Sequence, residues 1–160
     1  MTVPPTPPPT PREVFLKLVH AVCDERWEDA LALYAESTHV THPFHPFEPP
    51  PMTSLEELRA HFGIGSATES EPRRTLRRRP AGITVHETSD PEVIVAEFRY
   101  EGTVVETGEP FTIPGVFVMR VRDGRIIESR DYLHHLNSAR ARGRLGGVLD
   151  AIREHYLPQE

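Results

Sequence analysis

One cysteine, Cys23, stands among 160 residues, so no disulfide can close within the chain. In its apparent helix that thiol reads as a small buried hydrophobe, with no activating partner nearby in sequence to make it a nucleophile. No apolar run approaches the roughly 20 residues of a membrane span. The opening MTVPPTPPPTP has neither the positive n-region nor the apolar h-region of a secretion signal, so a cytoplasmic location is expected. Positive charge is also short: 18 Lys and Arg against 24 Asp and Glu give a net charge of -6, which argues against a general nucleic-acid binder. The exception is the run Arg73, Arg74, Arg77, Arg78 and Arg79, flanked by Glu69 and Glu71. With no aromatic interleaving it reads as a solvated edge strand or loop. What remains, 38% hydrophobic and 26% charged residues, suits one soluble domain with a single core.

Proline, by contrast, is abundant. Residues 1–11 form a proline-rich tail expected to be extended and disordered, and the folded part is expected to begin near Arg12. Phe15, Leu18, Val19 and Val22 recur at helical spacing, and a second short helix is expected over Trp27 to Tyr34. The segment from His39 to Pro51 is punctuated by prolines and reads as irregular. Thr53 and Ser54 then precede Glu56 and Glu57 as overlapping capping boxes for a third helix through Phe62.

Beyond the basic run the pattern changes to alternation. Strands are expected at Ile83 and Val85, over Val93 to Val105, Phe111 to Val121 and Arg125 to Leu133, with turns at Ser89-Asp90-Pro91 and Thr107-Gly108-Glu109-Pro110. Sequential antiparallel pairing is the simplest topology. Ser138 to Tyr156 is helical in places, weakened by Gly143, Gly146 and Gly147. Helices grouped ahead of an antiparallel sheet give an α+β class.

The segment VFVMRVRDGRIIESRDYLHHL, Val116 to Leu136, carries the chemistry. Asp123-Gly124 marks a two-residue hairpin turn, in which both residues need positive φ. Beyond it a period of two places Ile127, Ser129, Asp131 and Leu133 on one face, so a carboxylate falls where a core residue is expected. Burial there raises a carboxyl pKa towards the useful range for proton transfer.

Helices followed by a long meander, with the motif VRDGRIIESRDYLHHLNSARA, resemble the SnoaL-like branch of the nuclear transport factor 2 superfamily. That group includes ketosteroid isomerase, polyketide cyclases, limonene epoxide hydrolase and the phenazine-biosynthesis A/B proteins, beside members without catalysis. The resemblance implies a cone-shaped α+β domain, with N-terminal helices packed on a curved, mostly antiparallel sheet enclosing a pocket. It places the pocket domain at 12–145 and a helical extension at 146–160. It further implies a small-molecule protein: an acid/base isomerase, cyclase or hydrolase acting on a small hydrophobic or polyketide-like metabolite, with Asp131 as acid or base. The alternative is a ligand-binding or dimerising domain of the same fold without turnover. A homodimer is expected, with no membrane or nucleic-acid partner and no cofactor.

Partners for Asp131 differ with the relative chosen. Similarity to limonene epoxide hydrolase would set Asp131 as base, Arg99 as bridge and Glu101 as acid, although Glu101 stands where that family has aspartate. The loop Thr41-His42-Pro43-Phe44-His45-Pro46-Phe47 also lacks that family's Tyr and Asn pair. Similarity of LEELRAHF to a helix of the phenazine-biosynthesis proteins would point His61 into the pocket, while its place at a helix end suits a structural histidine equally. Alternation sets Val93, Val95, Glu97, Arg99 and Glu101 on one face of a strand and Ile94, Ala96, Phe98 and Tyr100 on the other. Spacing allows either face inward, and the resemblance favours Arg99. Phe44, Phe47, Tyr100, Phe117 and Met119 are the expected lining, with His42 and His45 at the mouth. The spacing of His39, His42, His45, His134 and His135 matches no established ligand signature, and no metal is expected.

Overall fold

The computed structural model describes residues 6–64 and 74–157. Positions 1–5 of the proline-rich segment, and Arg73, Glu69 and Glu71 of the basic run, lie outside the described residues. Helix α1 (Pro11–Cys23) starts one residue before the expected boundary. Pro11 occupies the first turn, where no N–H is needed, and Thr10 and Glu13 form a capping box. Val14, Phe15, Leu18 and Val19 are buried along one stripe. The short α2 (Trp27–Leu31) ends three residues before the expected Tyr34. Tyr34 instead opens a strand that the sequence reading left out, β1 (Tyr34–Thr41). Then come β2 (Met52–Ser54) and α3 (Leu55–His61), the latter capped by Ser54 and Glu57.

The four expected strands follow: β3 (Leu76–Glu87), β4 (Val93–Val104), β5 (Pro110–Arg122) and β6 (Arg125–Leu133). Asp123 and Gly124, with φ of 50° and 73°, make the tight turn of the last hairpin. Helices α4 (His135–Ala141) and α5 (Leu145–Tyr156) close the described chain.

One sheet has the order β2-β1-β6-β5-β4-β3. Its pairs are antiparallel except β1 with β6, which run parallel. This α+β sheet is mixed, six-stranded, curled and unclosed. Helix α1 lies across its inner face, where Phe15 meets Phe98 and Phe117 edge-on at centroid distances of 5.4 and 6.2 Å. That cluster belongs to the main hydrophobic core. Burial of each such aromatic contributes about 2–3 kcal/mol.

The face carrying Asp131 differs from simple alternation at one point. Val121 pairs with Ile126 and Arg120 with Glu128, so β6 holds one extra residue, Ile127, opposite that step. This bulge turns Ile126 into the core, at 0% exposure, in place of Ile127. Ser129 and Asp131 keep their inward orientation.

No helix among the described residues is long and apolar enough to cross a membrane.

Candidate active site

A cavity of about 320 Å³ lies between the inner face of the sheet and helices α1, α3 and α4. Its walls are largely hydrocarbon and aromatic: Leu18 and Val22 from α1, Leu58 from α3, and Tyr100, Ile113 and Phe117 from the sheet. Phe117 pairs directly across β5 and β6 with Asp131, whose carboxyl opens into this space at 6% exposure.

The environment of Asp131 is set mainly by burial. Removal from water disfavours the carboxylate and pushes the carboxyl pKa up to about 7. The buried Ser129 hydroxyl donates to Oδ1 and opposes this, because a donor favours the charged form. Tyr34 and Tyr100, both buried nearby, hold their phenolic protons more tightly than usual. Burial is the first cause for each, and the neighbouring Asp131 charge adds to it.

Facing Asp131 is His42, with Nε2 3.9 Å from Oδ2. That exceeds hydrogen-bond reach. Burial, then the neighbouring His61, His135 and His45, lowers the His42 pKa to about 4. Between about pH 4 and 7 the two groups are therefore both uncharged, and this contact is not an ion pair in that range. The His42 ring lies 5.2 Å from that of His61 and 5.9 Å from that of His135. His135 is also lowered to about 4, chiefly by burial. His45 packs against His135 at 4.8 Å. Among the described residues no three His, Cys, Asp or Glu side chains converge in a metal-holding arrangement.

The structure brings Asp131 and His61 to one cavity, and Tyr100 and Phe117 line it with them. Arg99 and Glu101 are not part of it. Ile94, Ala96, Phe98 and Tyr100 face inward, at 5% exposure or less, because burying four apolar side chains outweighs burying three charged ones. Arg99 consequently lies on the outer face, ion-paired to Glu101 at 2.9 Å, and Glu101 also meets Arg79 at 2.5 Å. Gly82, paired near Arg99, has φ of 59° and leaves no room for a Cβ beneath that guanidinium. The base, bridge and acid arrangement suggested by epoxide hydrolases is thus absent from the Asp131 side.

Three lining expectations also change. Met119 is fully packed in the core at 0% exposure, not on the cavity wall. Phe44 is 72% exposed and stacks edge-on against Tyr132, over a groove on the other side of the sheet. Phe47 packs between His45 and His155 of α5.

Two site residues were underrated by the sequence reading. His42 lines the cavity, because Thr38 and Val40 of β1 are buried and His42 continues their parity. Arg78 belongs to the basic run, yet it alternates with exposed Arg77 and Arg79 on the edge strand β3 and points into the cavity. The parity of Thr38, Val40 and His42 was the available signal for the first. Leu76, buried two residues earlier, was the signal for the second.

The family profile described as "SnoaL-like domain" matches residues 15–129, well over half of the chain. The chain belongs to the SnoaL-like domain family. Among curated relatives, the uncharacterized protein YesE of Bacillus subtilis is 42% identical over 53 residues, which is 33% of this chain and 36% of that protein. An uncharacterized PhzA/B-like protein of Pseudomonas aeruginosa is 33% identical over 100 residues, 56% of this chain and 69% of its own length. The chain thus spans about a third of the first relative and about two thirds of the second.

Solved structures agree on the fold of this SnoaL-like domain. A provisionally assigned isomerase from Bacillus subtilis superposes with a TM-score of 0.68 at 24% identity, covering 83% of this chain and 92% of that one. A provisionally assigned polyketide cyclase from Pseudomonas putida gives 0.62 at 16% identity, covering 83% and 98%. A protein with a ketosteroid isomerase-like fold from Catenulispora acidiphila gives 0.60 at 17% identity, covering 84% and 95%. The SnoaL-like domain therefore has the nuclear transport factor 2 or ketosteroid isomerase-like fold.

Proposed function

We propose that this protein is an acid/base catalyst, of isomerase or cyclase type, acting on a small hydrophobic carbonyl compound of polyketide-like character. The observation that carries this reading is the buried Asp131 carboxyl, poised near pH 7 on a largely apolar cavity wall and faced by an uncharged His42. Similarity to a PhzA/B-like protein and to folds assigned as isomerase and cyclase supports the reaction class.

In this reading the Asp131 carboxylate takes a proton from a carbon beside the substrate carbonyl. The C–H electron pair becomes the C=C bond of an enolate, and its oxygen accepts a hydrogen bond from the neutral His42 ring. Asp131 then returns the proton to another carbon, which moves a double bond. Alternatively the enolate carbon attacks a second carbonyl of the same molecule, forming a C–C bond, and that carbonyl oxygen takes the proton. A carboxyl with a pKa near 7 serves both halves of such a cycle at neutral pH.

Deuterium uptake from D2O into a panel of β,γ-unsaturated cyclic ketones and 1,3-diketones tests this without knowledge of the natural substrate. Wild type is expected to accelerate exchange, and Asp131→Asn to lose roughly 10²–10⁴-fold of that acceleration with its fold intact. Undiminished exchange in the variant removes Asp131 from the chemistry. Binding of the ketones by wild type without any exchange would favour the non-catalytic, ligand-binding reading.

A further inference from the structure

Among the described residues, the buried side-chain polar atoms without a hydrogen-bond partner are Arg78 Nε and His135 Nε2. Both belong to residues that line the Asp131 cavity. Arg78 is held in place from two sides. Its Nη2 donates to the Val22 carbonyl at 3.1 Å, and its guanidinium carbon sits 5.4 Å from the centre of the Tyr100 ring. The guanidinium is therefore oriented before any ligand arrives.

Arginine has donors only, so whatever meets Nε must present an acceptor. A fixed, positively charged fork selects a carboxylate over a neutral oxygen, because the bond is then charge-assisted; Glu25 and Arg142 line the same cavity. Tyr100, Arg78 and Asp131 line the same cavity.

We infer that Arg78 is a specificity-determining residue that binds the carboxylate of a small hydrophobic acid, holding the ligand's other end towards Asp131 and His42. This deepens the reading given under Proposed function by naming the ligand class, and it is tested by binding, not turnover. The probes are 2-naphthoate and its neutral isostere 2-naphthamide, titrated calorimetrically at pH 6 into wild type, Arg78→Met, Arg78→Lys and, as a control, Arg99→Ala.

Wild type is expected to bind the acid at least about tenfold more tightly than the amide, a difference of about 1.4 kcal/mol. Arg78→Met should reduce that preference to less than about twofold. Arg78→Lys, which keeps the charge without the oriented fork, should retain about a third of it. Arg99→Ala, on the outer face, should leave it unchanged, and because the readout is binding, loss of exchange and loss of acid preference fail separately. Equal affinity for acid and amide in wild type overturns the inference, as does an undiminished preference in either Arg78 variant. Absence of binding by both probes up to about 5 mM also overturns it. Should Arg78→Met not fold, as judged by circular dichroism, the lysine variant decides alone.

Discussion

On the outer face of β4, Glu97, Arg99 and Glu101 each meet a partner of opposite character: His86, Glu101 and Arg79 lie at 2.7, 2.9 and 2.5 Å in turn. Farther along the sheet Arg120 and Arg122 clasp Glu92 and hold its carboxyl down at about 2. On the inner face the polar groups Asp131, His42 and His135 meet chiefly hydrocarbon and one another, and all three shift towards the uncharged form. The same residue types thus serve opposite purposes on the two sides of one sheet. Outside, they pair with one another at the solvent surface, and each pair contributes little to stability. Inside, burial costs stability and shifts proton affinity towards the uncharged forms.

Replacing Asp131 gives the largest effect expected from this contrast. The native carboxyl keeps its proton to about pH 7, whereas an unfolded one releases it near the ordinary 3.8. Between those values the native state binds more protons, so this group's contribution falls as pH rises from about 4 to 7. Asp131→Asn is therefore expected to be more stable than wild type by roughly 2–4 kcal/mol at pH 8 and by little at pH 4. Urea denaturation at both pH values measures this. A variant with no pH-dependent gain would mean that the inner carboxyl is not held neutral by burial.

His42 gives the opposite sign. Its native pKa near 4 lies below the ordinary 6.5, so the unfolded state takes up protons first and stability is lost as pH falls from 6.5 to 4. His42→Phe should flatten that acid lability, recovering about 2 kcal/mol at pH 4 after allowance for its partial exposure. An unchanged stability profile between pH 4 and 7 would contradict a neutral, buried imidazole. Deuterium exchange in the same variant should fall about 10–100-fold.

Ser129→Ala sharpens the comparison more gently. The hydroxyl lowers the Asp131 pKa, so its removal should move the inflection of the exchange rate to higher pH, at a cost of about 1 kcal/mol in stability. A downward displacement would assign Ser129 a different role.

The smallest effects belong to the outer face. Arg99→Ala and Glu101→Ala should each change stability by less than about 1 kcal/mol, and less still in high salt, with exchange unaffected. A tenfold loss of exchange in either variant would break the separation of the two faces.

How much of this was legible depends on which physical signal dominated locally. Helix α3 and the Asp123-Gly124 hairpin were readable because capping and positive φ restrict residue choice within a few positions. Strand β1 was not: Glu36, Ser37 and His39 are exposed among Tyr34, Thr38 and Val40, so its apolar alternation is too sparse to stand out. The bulge at Ile127 arises from pairing with β5, which no local pattern encodes. Alternation split β4 into two faces correctly but allowed either to face inward; the epoxide-hydrolase likeness favoured Arg99, whereas burial of Ile94, Ala96, Phe98 and Tyr100 decides the other way. Arg78 was concealed by its neighbours, since an arginine turned inward between exposed Arg77 and Arg79 looks like them in sequence.

The parallel seam between β1 and β6 also bears on how the site is assembled. The Thr38 hydroxyl reaches the Ile126 carbonyl across 88 residues of chain, and the same seam brings Thr41, immediately before His42, beside Arg130, immediately before Asp131. Local hairpins among β3, β4, β5 and β6 close over far shorter loops, and long loops are entropically slower to close. The sheet can thus be largely paired while His42 and Asp131 are still apart, so the two sides of the cavity they share come together only when β1 joins β6.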